Sequence, residues 1–310
     1  MIFVDALSMK KGIALALCTA LISGLSVFIN GAAVSQADPS VYTALKGIIT
    51  LVFLVASAFA LRDIKAFRLS SRQWLMLALI GVVGGSVPFL MFFWGLKLGG
   101  AAVSSFIYRS LFLFAGVFGY LLLRERPEPR DVAAGVLLLA GNALLLSGSL
   151  SFGLGQMLVL GATVLWALEY TISRKVMADV EPHVVMTGRM LFGSLVLLGF
   201  FALDGSLPSL AASAVSAASP WLIVTSLLLF AFLVTWYNSL RELPVLKATS
   251  ILALGGVVTA LLNIVIGKAP SFVEALGLLL ILSGALAAAG LIGTILSVSR
   301  FRRRAPDMME

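Results

Sequence analysis

The chain has 310 residues, of which 60% are hydrophobic and only 12% are charged, with a net charge of +8. A soluble protein of this length needs far more charge to cover its surface, and a disordered chain holds far fewer apolar residues, so both classes are excluded. A single cysteine and a single histidine exclude an intramolecular disulfide framework and a thiolate zinc cluster. The sequence is therefore that of a membrane protein, and we expect neither a cofactor nor a metal site.

Ten apolar runs follow one another along the chain, each close to the roughly 20 residues that a helix needs to cross the hydrocarbon layer. In chain order they cover residues 12–35, 40–61, 74–96, 101–123, 131–149, 154–174, 183–203, 220–240, 246–267 and 273–297. The sequence thus predicts an all-α integral membrane protein with ten transmembrane helices. Pro88, which follows Gly84 and Gly85, predicts an interruption or hinge in the third helix.

Lysine and arginine are concentrated in alternate loops. One set of loops carries seventeen cations, whereas the other carries only Lys97 and Lys268. The seventeen are Lys10, Lys11, Arg62, Lys65, Arg68, Arg72, Arg124, Arg126, Arg130, Arg174, Lys175, Arg241, Lys247, Arg300, Arg302, Arg303 and Arg304. By the positive-inside rule this asymmetry places both termini in the cytoplasm and predicts a multi-pass protein of the inner membrane. The excess charge then predicts contact with anionic lipids, above all at the basic tail of residues 298–310, and no nucleic acid partner.

The two halves of the sequence are related by a shift of 143 residues without a gap. The shift aligns proline with proline, glycine with glycine and cation with cation in pairs that include Pro39 with Pro182, Gly141 with Gly284 and Lys46 with Arg189. Each unit contains five spans, an odd number, so the second unit enters the bilayer upside down. This is the inverted repeat of many secondary transporters, although channels also contain such repeats.

Two passages carry a family resemblance. The stretch 94–103 (WGLKLGGAAV) is similar to the connection between the third and fourth helices of EamA-type permeases of the drug/metabolite transporter superfamily, and 121–126 (LLLRER) resembles the end of their fourth helix, with Glu125 as the matching glutamate. Gly277 to Gly284 is spaced like the glycines of the family's last helix. The resemblance implies two EamA-like repeats, at 12–149 and 154–297, around a central cavity, and transport of small metabolites. It departs from the family pattern at Lys268, where the second repeat has no glutamate.

Arg109 is the first candidate for a substrate-binding residue. It lies nine residues inside the fourth span, about 13 Å from the boundary at 1.5 Å per residue, and therefore close to the midplane. A guanidinium matches a carboxylate or phosphate, which favours an anionic or zwitterionic substrate. The alternatives are that Arg109 binds helix-end carbonyls or pairs with Glu169.

Three further charges lie inside spans. Lys46 and Arg189 occupy equivalent places in the two units, so they are candidates for alternating gate residues, while snorkelling to the headgroups is the alternative. Glu169 is the only acid more than two residues inside a span. It is a candidate proton carrier if neutral, and a structural lock if it pairs with Arg189 or Arg109.

Aromatic residues complete the predicted site. Tyr108 and Trp166 are deep enough in their spans to line a cavity, whereas Trp236 and Tyr237, at the end of the eighth span, are expected in the interfacial belt. Glu125 is expected in a cytoplasmic ion cluster that closes one conformation.

The sequence as a whole predicts a secondary transporter rather than an enzyme, because no nucleophile–base pair lies at membrane depth. The predicted substrate is a small organic metabolite, anionic or zwitterionic like an amino acid, exported or exchanged by alternating access, with protons as a possible coupling ion. A channel-like facilitator and an exporter of lipophilic cations remain as alternatives. Nothing in the sequence indicates an oligomeric state.

Overall fold

The chain folds as a bundle of helices. A computed structural model describes residues 6–35, 38–60, 64–145, 153–207, 210, 220–267 and 270–291, and no strand occurs among them. The helices are α1 (Ala6–Ser35), α2 (Pro39–Ala60), α3 (Ser71–Gly99), α4a (Ala101–Arg109), α4b (Leu111–Leu123), α5 (Pro129–Leu145), α6 (Leu154–Val176), α7 (Pro182–Leu203), α8 (Pro220–Glu242), α9a (Val245–Leu252), α9b (Gly255–Val265) and α10 (Phe272–Ala288). The predicted all-helical class is confirmed. The predicted basic tail (298–310) and the predicted loop cations Arg62, Lys268 and Arg300 lie outside the described residues.

Within the described ranges, eight helical spans are long and apolar enough to cross a membrane. They are α1, α2, α3, α4, α6, α7, α8 and α9, counting each interrupted helix once. The described parts of α5 and α10 have 17 residues each, about 26 Å at 1.5 Å per residue, and so fall short of a hydrocarbon layer of roughly 30 Å. Leucines and phenylalanines on the outside of the bundle are exposed, as a lipid-facing surface requires; Leu203 and Phe272 are 93% and 85% exposed.

Local sequence signals set the helix starts. Proline occupies the first position of α2, α5, α7 and α8. The N–H at that position has no intrahelical acceptor in any helix, so the lack of an N–H in proline costs nothing there. Ser70 caps α3 and Ser271 caps α10, each in a capping box with the residue three positions on. These signals explain why most of the helix starts fall within a few residues of the predicted ones.

Three helices are interrupted inside the bundle. In α3 a π-helical turn runs over Gly81–Ser86, just before Pro88, so the predicted interruption is confirmed. The fourth helix breaks at Ser110, and the ninth breaks at Ala253 and Leu254. Ser110 and Ala253 are related by the 143-residue shift, so both repeats break at the same place.

Close backbone contacts join helices in pairs that follow the same shift. A Cβ atom added at Gly141 of α5 would lie 2.6 Å from the carbonyl of Gly277, and one added at Gly284 of α10 would lie 2.8 Å from the carbonyl of Ala134. Ala134 and Gly277 are themselves equivalent positions. Only glycine permits these approaches, since lipid gives no hydrophobic drive and helices associate by close packing.

The helix contacts define two ends of the bundle. At the Glu125 end, where Glu125 meets Arg174, the start of α1 approaches the end of α8 through a hydrogen bond from Ser8 to Glu242. At the opposite end, which we call the Gly155 end, the start of α6 packs against the end of α3 through Gly155 and Gly99. The helices α1 and α6 therefore begin at opposite ends.

Candidate functional site

A cavity that is partly open to the outside lies between the two halves of the chain. Helices from both halves line it, and four of the predicted site residues reach its wall: Lys46, Tyr108, Trp166 and Arg189. The remaining wall is formed by Ser23, Ser26, Val27, Asn30, Phe89, Phe92, Phe93, Tyr170, Leu229 and Phe232. The cavity thus combines two cations with small polar groups and an extended aromatic surface.

The aromatic wall is a connected cluster centred on Trp166. Its ring lies 5.2 Å from Phe89, 5.3 Å from Phe92 and 5.4 Å from Tyr108, measured between centroids. The indole Nε1 donates to the carbonyl of Gly84 at 3.1 Å, inside the π-helical turn of α3. The turn breaks the regular helical pattern of bonds, so that this carbonyl can accept from another helix. Tyr108 and Trp166 therefore both lie on the cavity wall.

Lys46 is 3% exposed and lies on the cavity side of α2. Its Nζ donates to Asn30 Oδ1 at 2.8 Å, and it lies 5.4 Å from the ring centroid of Phe93 and 5.5 Å from that of Tyr42. Asn30 also accepts from the Tyr42 hydroxyl at 2.5 Å and donates to Ser26 Oγ at 2.9 Å. The side chain therefore points into the bundle and does not snorkel to its surface.

Arg189 lies on the cavity wall contributed by α7 and has partners in both halves of the chain. Its Nε is 3.6 Å from Glu169 Oε2, both side chains are buried, and its Nη2 donates to the Gly84 carbonyl at 2.8 Å. Glu169 Oε1 accepts from Ser173 and Tyr237, each at 2.5 Å. Glu169 and Arg189 therefore form a buried pair, which we call the lock after one of the two alternatives that the sequence left open.

Gly84 makes room for this lock. A Cβ atom at position 84 would lie 2.3 Å from Glu169 Cγ, a distance that no side chain tolerates. Tyr237 was expected in the interfacial belt, and Trp236 with it, but both are fully buried, so that expectation is wrong. The reason is that the C-terminal half of α8 lies inside the bundle, where the Tyr237 hydroxyl supplies a donor to a buried carboxylate.

Arg109 lies next to the central cavity rather than in its wall. It lines a smaller pocket, together with Ser23, Val27 and Tyr108, which border both spaces. Its Nη2 donates to the Gly256 carbonyl at 3.3 Å, and a Cβ atom at Gly256 would lie 2.0 Å from its Nε. Arg109 thus binds a carbonyl in the first turn of α9b, at the level where α4 and α9 are both interrupted.

Glu125 joins several helices at the Glu125 end. Its Oε1 is 2.7 Å from Arg174 Nε on α6, and its Oε2 accepts from the first N–H of α9a, that of Val245, at 2.9 Å. Arg174 Nη1 in turn donates to the Leu240 carbonyl of α8 at 2.5 Å. We call this arrangement of Glu125, Arg174, Leu240 and Val245 the clasp. Glu125 therefore pairs with a cation of the second half and not with its own sequence neighbours.

A second, more exposed ion pair lies at the same end. Glu181, just before α7, pairs with Arg241 of α8, and both side chains are about half exposed. The hydrogen bond from the Arg241 guanidinium holds the pKa of the Glu181 carboxyl below its usual value. This pair and the clasp attach the end of α8 to α4, α6, α7 and α9.

Comparison with known proteins identifies the family. The model of the EamA-like transporter family matches residues 10–147 and 153–290, two stretches that are themselves 143 residues apart. The chain belongs to the EamA-like transporter family. It is accordingly a multi-pass membrane protein of the drug/metabolite transporter superfamily, in a family of transporters rather than enzymes, with a small-molecule substrate and a lipid environment.

The other comparisons address the fold alone. A crystal structure of another protein matches 92% of this chain and 99% of its own, with a TM-score of 0.71 and 24% sequence identity. At that identity the likeness shows the fold and carries no substrate across. No curated protein matches the chain.

Proposed function

We propose that this protein is a secondary transporter of a small organic anion or zwitterion, which it exports or exchanges by alternating access around the central cavity. The observation that carries the proposal is the pair of buried cations, Lys46 and Arg189, on the wall of one cavity between the two repeats. A buried charge is costly unless it is paired, and the charges that do occur inside membrane-spanning segments commonly mark substrate or ion pathways. Glu169 balances the charge of Arg189, whereas no carboxylate of the described residues lies near Lys46, so the cavity has one net positive charge that an anionic group offsets.

The two repeats, proposed as residues 12–149 and 154–297, are inverted relative to each other. The opposite starting ends of α1 and α6 support this arrangement, as do the equivalent helix breaks at Ser110 and Ala253. The excess of loop cations at the Glu125 end makes that end cytoplasmic, with both termini inside and the inner membrane as the location. Ten helices cross the bilayer in this organisation, with α5 and α10 as the fifth span of each repeat.

The clasp closes the cytoplasmic end in this conformation. Glu125 belongs to the first repeat, whereas its clasp partners belong to the second. A movement of the two repeats away from each other at that end therefore breaks the bonds of Glu125. Partly buried, charge-assisted hydrogen bonds of this kind are stronger than exposed ones, which suits them to hold one state. Glu169 serves in this scheme as the lock of Arg189.

The substrate lies against the aromatic wall in this proposal, with Tyr108 and Trp166 as contact residues. Arg109 supports the site from the adjoining pocket, where it is separated from the cavity by Tyr108 and Ser23. The aromatic surface also favours a second candidate, an exporter of lipophilic cations, since such cations bind to ring faces. The positive charge of Lys46, which no carboxylate of the described residues balances, argues against that candidate.

Ligand-dependent thermal stabilisation tests the proposal on the purified protein at pH 6 and pH 8. A ligand at about 100 times its dissociation constant stabilises the native state by about 2.7 kcal/mol. We expect stabilisation by carboxylates, phosphates or amino acids and a reduced effect in Lys46→Met, with Arg109→Ala as a comparison. Stabilisation by lipophilic cations alone, unaffected by Lys46→Met, overturns the choice of substrate class.

Counterflow in proteoliposomes separates a carrier from a channel. A carrier that alternates access exchanges labelled external substrate for unlabelled internal substrate and accumulates the label transiently. Flux that rises linearly with concentration and shows no counterflow supports the channel-like facilitator instead and contradicts alternating access.

A further inference from the structure

Lys46 has no counter-charge among the residues around it. In the described part of the chain, no carboxylate lies within 4.0 Å of its Nζ, which donates to the neutral amide of Asn30 at 2.8 Å. Asn30 donates in turn to Ser26 Oγ at 2.9 Å, one helical turn earlier on α1. Lys46, Asn30 and Ser26 all line the central cavity. The negative charge that would balance Lys46 is therefore absent at a place that a ligand can reach.

The second repeat contains the same three positions with one decisive difference. The shift of 143 residues places Arg189 on Lys46, Ser173 on Asn30 and Glu169 on Ser26. In that repeat the Glu169 carboxylate accepts from Ser173 at 2.5 Å and lies 3.6 Å from the Arg189 guanidinium. Each repeat therefore has a cation on its second helix facing two polar positions, one turn apart, on its first helix. Only the second repeat has an acid there.

The difference has an energetic consequence. A cation removed from water needs a counter-charge or several hydrogen bonds, and its cost is large when it has neither. Glu169 neutralises Arg189, whereas Lys46 has one amide oxygen and two aromatic rings at about 5.5 Å. Rings at that distance offset only a part of the cost of burying the charge. The first repeat is therefore one negative charge short of the arrangement found in the second.

We propose that a carboxylate of the transported substrate occupies, beside Lys46 and Ser26, the place that the Glu169 carboxylate occupies beside Arg189. This inference rests on the proposed function and adds the chemical group and its binding residues. Lys46 supplies the charge. The hydroxyl oxygen of Ser26 accepts from Asn30, so the hydroxyl proton is available to donate to the ligand carboxylate. In the second repeat it is also a serine hydroxyl, that of Ser173, which donates to the Glu169 carboxylate. One lysine matches a group of one negative charge, which favours a carboxylate over a phosphate dianion.

The substitution Ser26→Glu tests the proposal by building the second repeat's acid into the first. An internal carboxylate at that place pairs with Lys46 and competes with the carboxylate of any ligand. The matched control is Ser26→Gln, which has the same length and no charge. The probes are acetate, benzoate and glycine, with benzamide as the uncharged counterpart of benzoate.

We expect benzoate, or another carboxylate of this set, to stabilise the wild-type protein and the Ser26→Gln variant, and benzamide not to do so. Ser26→Glu is expected to weaken carboxylate binding at least tenfold, and Lys46→Met to abolish it. Equal carboxylate binding by the Ser26→Glu and Ser26→Gln variants overturns the inference. Wild-type protein that binds phosphate esters or cations but none of these carboxylates overturns it as well.

A ligand-free measurement gives a second, independent test. Ser26→Glu is expected to raise the thermal stability relative to Ser26→Gln when Lys46 is present, and to lose that advantage in the Lys46→Met background. If the glutamate gives no such advantage, the place beside Lys46 does not accept a carboxylate and the inference is wrong. Counterflow of an anionic substrate by the wild-type protein is measured in parallel. Its absence contradicts the proposed function itself, whereas its presence with either negative result above contradicts only the carboxylate site.

Discussion

Replacing Glu169 by glutamine is the sharpest perturbation of the lock on Arg189. The change keeps the size of the side chain and allows its carbonyl oxygen to accept from Ser173 and Tyr237, as Oε1 does now. The amide nitrogen then takes the place of Oε2, which lies 3.6 Å from Arg189 Nε, so that two donors face each other. The variant thus removes the negative charge and leaves a buried guanidinium without its counter-ion.

The expected cost follows from the burial of both groups. Arg189 is 1% exposed and Glu169 is fully buried. Two unit charges about 4 Å apart interact by about 4 kcal/mol at an effective dielectric constant of about 20. Removing one partner of a buried pair costs about 3–5 kcal/mol, because the other charge stays uncompensated. We therefore expect Glu169→Gln to lower the free energy of unfolding by about 3–5 kcal/mol.

Equilibrium unfolding in mixed micelles, followed by the helical signal, measures this loss. The exposed pair Glu128–Arg130 is the control: its atoms are closer, at 2.6 Å, yet Glu128→Gln is expected to cost less than 1 kcal/mol because solvent screens it. The double variant Glu169→Gln/Arg189→Met removes both charges and is expected to recover most of the loss. A Glu169→Gln variant that loses less than 1 kcal/mol, or a double variant as unstable as the single one, refutes the reasoning.

Three further predictions concern other parts of the bundle. Glu125→Gln is expected to lower the free energy of unfolding by about 1–3 kcal/mol, measured by the same assay, because its partly buried bonds are charge-assisted; an effect no larger than that of Glu181→Gln contradicts the role of the clasp. Since the pKa of Glu181 is lowered in the folded state, its pair with a cation adds stability above the pKa of the unfolded chain and loses it as the pH falls through the folded value. The difference in melting temperature between wild type and Glu181→Gln should shrink on acidification, and a difference that grows is the contrary result. Gly256→Ala is expected to cost more than 1 kcal/mol, since its Cβ would lie 2.0 Å from Arg109 Nε, whereas Gly199→Ala, with nothing within 4 Å, should be near neutral in the same unfolding measurement.

The helices could be predicted closely from the sequence because hydrocarbon thickness sets their length and proline marks their starts. The breaks in the fourth and ninth helices could not. Neither Ser110 nor Ala253 is a helix breaker, and no proline stands beside either of them. The breaks coincide with the pocket in which Arg109 reaches across to Gly256, so they depend on tertiary contacts that a single-helix pattern does not contain.

The candidate site was predicted in part. A charge inside an apolar span is visible in a sequence, and Lys46, Arg109, Glu169 and Arg189 were found in this way. Their partners were not, because hydrogen-bonding residues such as Asn30 and Tyr237 are common and their direction depends on helix rotation. Arg109 was the first candidate for substrate binding because it lies deepest in its predicted span, whereas in the structure Lys46 and Arg189 lie on the cavity wall. The position of a residue along a helix can be predicted from the sequence, but whether its side chain faces the cavity cannot.

The same comparison of the repeats that assigns a ligand carboxylate to Lys46 also makes the two ends of the bundle unequal. The positions equivalent to Glu125 and Arg174 are Lys268 and Gly31, a cation and a residue without a side chain. These two positions therefore cannot form an ion pair with each other. There, the ends of α3 and α6 meet through Gly99 and Gly155, by close backbone packing.

Such a contact has no charge to neutralise and depends little on salt, whereas an ion pair is weakened as ionic strength rises. In the proposed transport cycle, closing the cytoplasmic end thus gains about 1–3 kcal/mol of charge-assisted bonding that closing the other end lacks. In that cycle, the divergence at these two positions gives the two ends different closing contacts, an ion pair at one and close backbone packing at the other.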